Sequence, residues 1–246
     1  CGDNMVQVIV KRENQKATVE CSEFKAYVLG NGPSRQHLDL DELKKDGIVY
    51  GCNALYRDWE PDFLFANDFR MVSEIHKDKY KGNCVFSDLD VLPVHYFEDV
   101  LQGIRLSLPP NQGVNINYTG NRDTATSFVY MGYAGNVHEV LWVNEEETPQ
   151  YEWNFKPLTE LPSTGTMALQ RAAENGHKEI VMYGFDGLKS GNYRNVYDGT
   201  FLYKTDAHSH DGLRHPETYR PKDADNWEKY VNDIVEKYPE SKIEII

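Results

Sequence analysis

Ala26-Tyr27-Val28-Leu29-Gly30-Asn31-Gly32-Pro33-Ser34 decides how the rest of the chain reads. Apolar residues run as a strand into a loop of two glycines, an asparagine, a proline and a serine. Residues 38–46 then carry the spacing of a helix. Strand, glycine-rich turn and helix in that order form a unit that can hold a phosphate. Glycine lets backbone approach an anion, and the first N–H groups of a helix point outward unpaired. The loop lacks the third glycine of the dinucleotide fingerprint and the Gly-Lys-Ser/Thr of a P-loop. A tight turn that merely ends a strand is the simpler alternative for this segment taken alone.

Outward from this loop, strand and helix patterns alternate. Residues 25–29, 47–53, 62–68, 83–86, 138–143, 178–186 and 242–246 read as strands, and residues 38–46, 69–77, 164–174 and 223–238 as helices. The pattern predicts an α/β fold, with a Rossmann-like, mostly parallel sheet and helices on both faces. Residues 1–246 read as one domain with a loop-rich lid. Residues 1–22 read as an edge hairpin added to it. Residues 88–123 are rich in Pro, Gly and Asn with poor periodicity, and they read, with 187–222, as loop or lid regions. Residues 124–133 fit a helix or a buried strand equally well.

The 246 residues carry a formal net charge of −13, which argues against non-specific binding to nucleic acid or to an anionic membrane. An anionic ligand must therefore be met by local N–H groups, hydroxyls and a few cations. Cys1, Cys21, Cys52 and Cys84 are widely spaced and match no zinc motif, so they read as mostly free thiols in a reducing compartment. No stretch resembles a transmembrane helix or an intact signal peptide. The start at Cys1-Gly2-Asp3 reads as a truncated frame, with a mature lipoprotein as the alternative.

In open parallel sheets, ligands bind outside the carboxyl ends of the strands. The polar residues expected there are Asn31 and Ser34, Asn53, Asn67 and Asp68, residues 163–166, and Asp186. Four ordered motifs carry a resemblance: Gly30-Asn31-Gly32-Pro33-Ser34, Cys52-Asn53, Ser163-Thr164-Gly165 and Tyr183-Gly184-Phe185-Asp186. Together they resemble the bacterial CMP-sialic-acid-dependent sialyltransferases that modify lipooligosaccharide, and related phage and bacterial Rossmann-like proteins. The resemblance covers roughly residues 25–68 and 161–246. It implies a glycosyltransferase taking a sugar, sialic acid or a similar one, from a CMP-linked donor to a glycan acceptor. Gly30, Asn31, Gly32, Ser34, Asn53, Ser163, Thr164, Gly165 and Asp186 would line the donor site. The family stabilises the departing phosphate with two tyrosine hydroxyls. Tyr193 fits one position with a one-residue shift, and Leu188 stands where the other tyrosine would be. Lys189 or Arg194 is the substitute cation.

A base is also needed, and histidine titrates near working pH. Residues 206–215 hold His208, His210 and His215 ahead of the last helix, and the resemblance points to His215 or His210. The His-x-His spacing also suits a metal, and a plain polar loop is a third reading. The resemblance implies no metal and no cofactor, with the nucleotide sugar as substrate. It implies a cytoplasmic protein, with a peripheral place at the inner membrane and homo-oligomerisation left open. The Gly-Asn-Gly-Pro-Ser loop is shared with pterin pyrophosphokinase-like proteins, which would use ATP and Mg²⁺. A non-catalytic phage binding protein is the remaining alternative.

Overall fold

The computed structural model describes residues 7–12, 15–20, 24–87, 89–109, 112–132, 137–160, 162–200, 202–203 and 224–246. The chain first forms β1 (Gln7–Arg12), β2 (Gln15–Glu20), β3 (Lys25–Leu29), α1 (Leu40–Asp46), β4 (Gly47–Cys52) and β5 (Phe63–Ala66). Next come α2 (Phe69–Lys77), β6 (Asn83–Ser87), β7 (Val91–Pro93), α3 (Phe97–Ser107), β8 (Asn115–Thr119), β9 (Ser127–Gly132), β10 (Val137–Val143) and β11 (Tyr151–Phe155). The last group is α4 (Thr164–Glu174), β12 (Glu179–Tyr183), α5 (Asp186–Ser190), α6 (Ala224–Lys237) and β13 (Lys242–Ile245). These elements fall into two compact units, Cys1–Ala66 with Pro157–Ile246, and Asn67–Lys156.

In the first unit five strands run in the order β5-β4-β3-β12-β13, every neighbouring pair parallel. The chain is thus α/β with a parallel sheet, as the alternating pattern predicts. Strand order reverses at β3. The chain moves outward through β4 and β5, then returns to place β12 on the other side. That reversal marks where open α/β sheets build ligand sites. Every residue of β4 is buried, which requires cover on both faces. On one face lies α4, packed against β3, β4, β5 and β12. Ala168, Ala172 and Ala173 let its axis come close. Ser163 caps it in a capping box with Thr166, so two first-turn donors are satisfied reciprocally. The next layer is α6, whose Tyr230 hydroxyl bonds the buried Gln170 of α4.

The amino-terminal end of this sheet is closed by a polar network around His177, which is fully buried. Its Nδ1–H donates to the Phe24 carbonyl at 2.8 Å, which leaves Nε2 to accept from the Tyr50 hydroxyl at 2.8 Å. That hydroxyl accepts from Asn175 Nδ2, and the His177 carbonyl accepts from Ser241 Oγ. This is a core histidine whose ring nitrogens both have partners. The hairpin β1-β2 forms a two-stranded antiparallel sheet of its own, not an added edge of the parallel sheet.

The second unit holds the parallel pair β6-β11 and a four-stranded sheet ordered β7-β9-β10-β8. The loop expected over 88–123 is corrected here. It contains β7, β8 and an eleven-residue helix, α3. Phe97, Leu101 and Ile104 recur at helical spacing and are buried, the first two with Phe128, Val140 and Trp142. The surrounding Pro, Gly and Asn residues hid that period. Residues 127–132 settle as a strand, β9, because they pair with β10 along their whole length.

Candidate functional site

The Gly30–Ser34 loop leaves β3 at the reversal point and lies against the turn that follows β12. The Gly30 N–H donates to the Tyr183 carbonyl at 2.8 Å and the Gly32 N–H to the Gly184 carbonyl at 2.9 Å. A methyl group on Gly32 would collide with the Asp186 carboxylate and stand 2.6 Å from the Gly184 oxygen, so only glycine permits the approach. Gly184 itself takes φ of +75°, the left-handed region that glycine enters without penalty. Asp186 accepts from the Ser34 amide at 3.2 and 3.3 Å and from Ser34 Oγ at 3.0 Å. Ser34 Oγ in turn accepts from the Gly184 N–H at 3.1 Å.

This geometry changes the meaning of the loop. The amides of Gly30, Gly32 and Ser34 are already bonded, and that of Arg35 is spent on the Gly32 carbonyl. Residues 33–37 form a 3₁₀ turn, and α1 begins only at Leu40, with its first turn capped by Asp39. The loop therefore presents few backbone donors to an anion. Ser34 and Asp186 hold its shape, and what it offers outward are side chains.

The first of these is Asn31. It is 8% exposed, and its Nδ2 donates to the Cys52 carbonyl at 3.2 Å. Its Oδ1 is buried without a hydrogen-bond partner among the described residues. Asn53, the next residue after β4, sits at φ of +51°, a left-handed conformation that asparagine tolerates better than most side chains. Its Oδ1 accepts from Thr164 Oγ1 at 3.2 Å. The ends of β3 and β4 and the start of α4 are thus joined through side chains at one edge of the sheet. Gly165 lies beneath the ring of Phe185 on that helix's first turn, where backbone N–H groups have no intrahelical acceptor. The Cys52 thiol beside them is pushed up to about 12 by burial, with the Arg35 charge pulling the other way. It is a neutral packing group at physiological pH, not a nucleophile.

A second group of residues was not singled out by sequence. Arg35 is 7% exposed, and one guanidinium nitrogen donates to the Tyr197 hydroxyl at 2.9 Å. Its guanidinium carbon lies 5.4 Å from the centre of the Tyr197 ring, and that of Arg57 lies 5.8 Å away. The Tyr197 hydroxyl also bonds Asp58, which is exposed. Burial drives this phenol up to about 12, against the opposing pull of Arg35. The Val196 N–H donates to the Asn31 carbonyl at 2.8 Å, which fastens this segment to the glycine loop.

Tyr193 follows α5 in the chain. Its ring covers Gly187 and meets Trp227 of α6 edge-on at 6.1 Å. Lys189 and Arg194 are exposed. His208, His210 and His215 lie outside the described residues. Among the described residues, no group of three His, Cys, Asp or Glu side chains could hold a metal ion, and no helix is long and apolar enough to cross a membrane.

The unit of residues 67–156 has a concavity of its own, about 630 Å³, lined among others by Asp90, Glu145, Glu152, Tyr151 and Trp153. Three carboxylates make it a poor seat for a phosphate. No family model matches the chain, and no curated protein matches it.

Proposed function

We propose that this protein transfers a sugar from a nucleotide-activated donor, CMP-linked by preference, to a glycan acceptor. The observation that carries the reading is the convergence of Asn31, Asn53 and the first turn of α4 at the carboxyl edge of a parallel sheet, beside its order reversal. Buried polar groups are nearly always satisfied, and the bare Oδ1 of Asn31 is an acceptor suited to a ligand hydroxyl or amino group. A nucleoside carries both. The resemblance of the four ordered motifs to the lipooligosaccharide sialyltransferases supports the choice of CMP and of a sialic-acid-like sugar.

In the proposed reaction the acceptor oxygen attacks the anomeric carbon as the bond from that carbon to the phosphate oxygen breaks. The nucleotide leaves with the bonding electron pair, and the acceptor proton passes to a base, His210 or His215 in this reading. Displacement in line inverts the anomeric centre. Asn53, Ser163, Thr164 and Gly165 orient the donor, while Gly30, Gly32, Ser34 and Asp186 keep the loop in register. No cofactor or metal is required by this scheme.

Calorimetric titration with CMP, CDP, UDP and ATP, each with and without Mg²⁺, tests it. Saturable CMP binding without metal supports the proposal, and absence of any pyrimidine nucleotide binding overturns it. Mg²⁺-dependent ATP binding alone would move the assignment to the pyrophosphokinase-like alternative.

A further inference from the structure

We infer that Arg35 is the residue that takes the negative charge of the bound phosphate, held ready for it by Tyr197; the inference rests on the nucleotide reading above.

Arg35 is a cation inside the protein. It is 7% exposed, and among the described residues it forms no ion pair and its buried Nε has no hydrogen-bond partner. Its polar side-chain contact is a neutral phenol, and the carboxylate that this phenol touches, Asp58, is exposed to water. Arginine cannot relieve the situation by losing its proton. Burying an uncompensated charge is costly, and such groups are found where a partner or ligand completes them. Here the missing partner is an anion.

The surroundings select the kind of anion. Two residues upstream of Pro33, Asn31 carries a buried acceptor that also lacks a partner among the described residues, so the ligand must offer a donor as well as a negative charge. A nucleoside phosphate satisfies both requirements. The backbone of the loop offers the phosphate little by itself, because the amides of Gly30, Gly32, Ser34 and Arg35 are bonded to Tyr183, Gly184, Asp186 and Gly32 respectively. The protein's net charge of −13 supplies no general attraction. A planar guanidinium, fixed by a bond to Oη at 2.9 Å and by the ring face of Tyr197, is a preorganised donor fork for phosphate oxygens. When the donor sugar departs, the same fork meets the charge that develops on the phosphate.

The test compares cytidine, CMP and inorganic pyrophosphate binding to the full chain and to Arg35→Met, Arg35→Lys and Tyr197→Phe, by calorimetry with parallel melting curves. Wild type is expected to bind CMP about a hundredfold more tightly than cytidine, the scale of a charge-assisted paired contact. Arg35→Met should bring that ratio to within about threefold while cytidine binding holds, and its ligand-free melting temperature should not fall. Arg35→Lys should keep roughly a tenth of the ratio, because the charge stays and the fork is lost. Should the methionine variant fail to fold, the lysine and Tyr197→Phe variants decide by the same ratio. An unchanged CMP-to-cytidine ratio in the Arg35 variants overturns this inference and leaves the nucleotide reading intact. Arg35-dependent pyrophosphate binding with no nucleotide bound supports the inference and overturns that reading. No binding of either overturns both.

Discussion

The two ends of one parallel sheet treat buried polar groups in opposite ways. At the amino-terminal end, His177, Tyr50, Asn175 and Ser241 form a closed set in which both nitrogens of the buried imidazole are bonded. At the carboxyl end, Asn31 and Arg35 are nearly as deep, and each keeps a polar atom without a hydrogen-bond partner among the described residues. The strands are the same and the burial is similar, so the difference does not come from depth. A fully satisfied network holds the sheet together, whereas the unsatisfied groups at the other edge are the ones that the proposal above assigns to a ligand.

The largest expected effect breaks the satisfied end. His177→Ala removes a buried ring and leaves the Tyr50 hydroxyl and the Phe24 carbonyl without it, at a cost of about 3–5 kcal/mol. Urea unfolding should show that loss while the nucleotide response of the surviving folded fraction stays normal. Parallel loss of affinity at unchanged stability would contradict the division of labour. Next is Gly32→Ala, which forces the loop away from the Gly184 carbonyl and the Asp186 carboxylate, costing about 2–3 kcal/mol by overpacking. Unlike the histidine variant, it should abolish CMP binding in titrations at a temperature where it is fully folded.

Asn31→Ala reaches the unsatisfied end with less disturbance. It gives up one bond to the Cys52 carbonyl but also deletes an unpartnered acceptor, so stability should change by under about 1 kcal/mol. CMP affinity should fall about tenfold, one hydrogen bond's worth, in the same calorimetric assay. The smallest effect is a slope in alkaline stability. The folded state raises the Tyr197 phenol from 10.0 to about 12, favouring its neutral form. The unfolded chain therefore loses that proton first, and stability should be intact below about pH 10 and decline as pH climbs toward 12. Melting temperatures of Tyr197→Phe should decline less steeply than wild type across that window. Equal slopes would mean that the phenol is no more shielded in the folded protein than in the unfolded chain.

The parallel sheet was legible because β3, β4, β12 and α4 each carry a strong local period and clear punctuation at their ends. The same logic placed Asn31, Asn53 and Thr164 at one edge. What it missed was non-local. Ser34 meets Asp186 across 152 positions and Arg35 meets Tyr197 across 162, and nothing in either neighbourhood signals its partner. The loop was read as a backbone cradle because glycines suggest open amides, and the partners that occupy those amides lie far along the chain. Tyr193 was singled out by its position in an aligned segment, and Tyr197 was not considered. The fold turns Tyr193 toward Trp227 and brings Tyr197 to Arg35. Helix α3 was overlooked because its period is short and sits among turn-forming residues.

The pairing of β3 with β12 has a consequence for synthesis. Some 150 positions separate the two sides of that contact, so during translation β3 waits with one edge bare while the whole stretch from β5 to α4 emerges. A strand edge left open for that long invites pairing with another nascent chain, and closing so large a loop is slow. The edge at the Gly30–Ser34 loop is assembled late, since it needs Asp186 and then Tyr197, with α6 and β13 still to follow. A ribosome-stalled chain ending before β12 would therefore own most of its sheet but lack the contacts that fix the Gly30–Ser34 loop, the form in which chaperones are most expected to hold it.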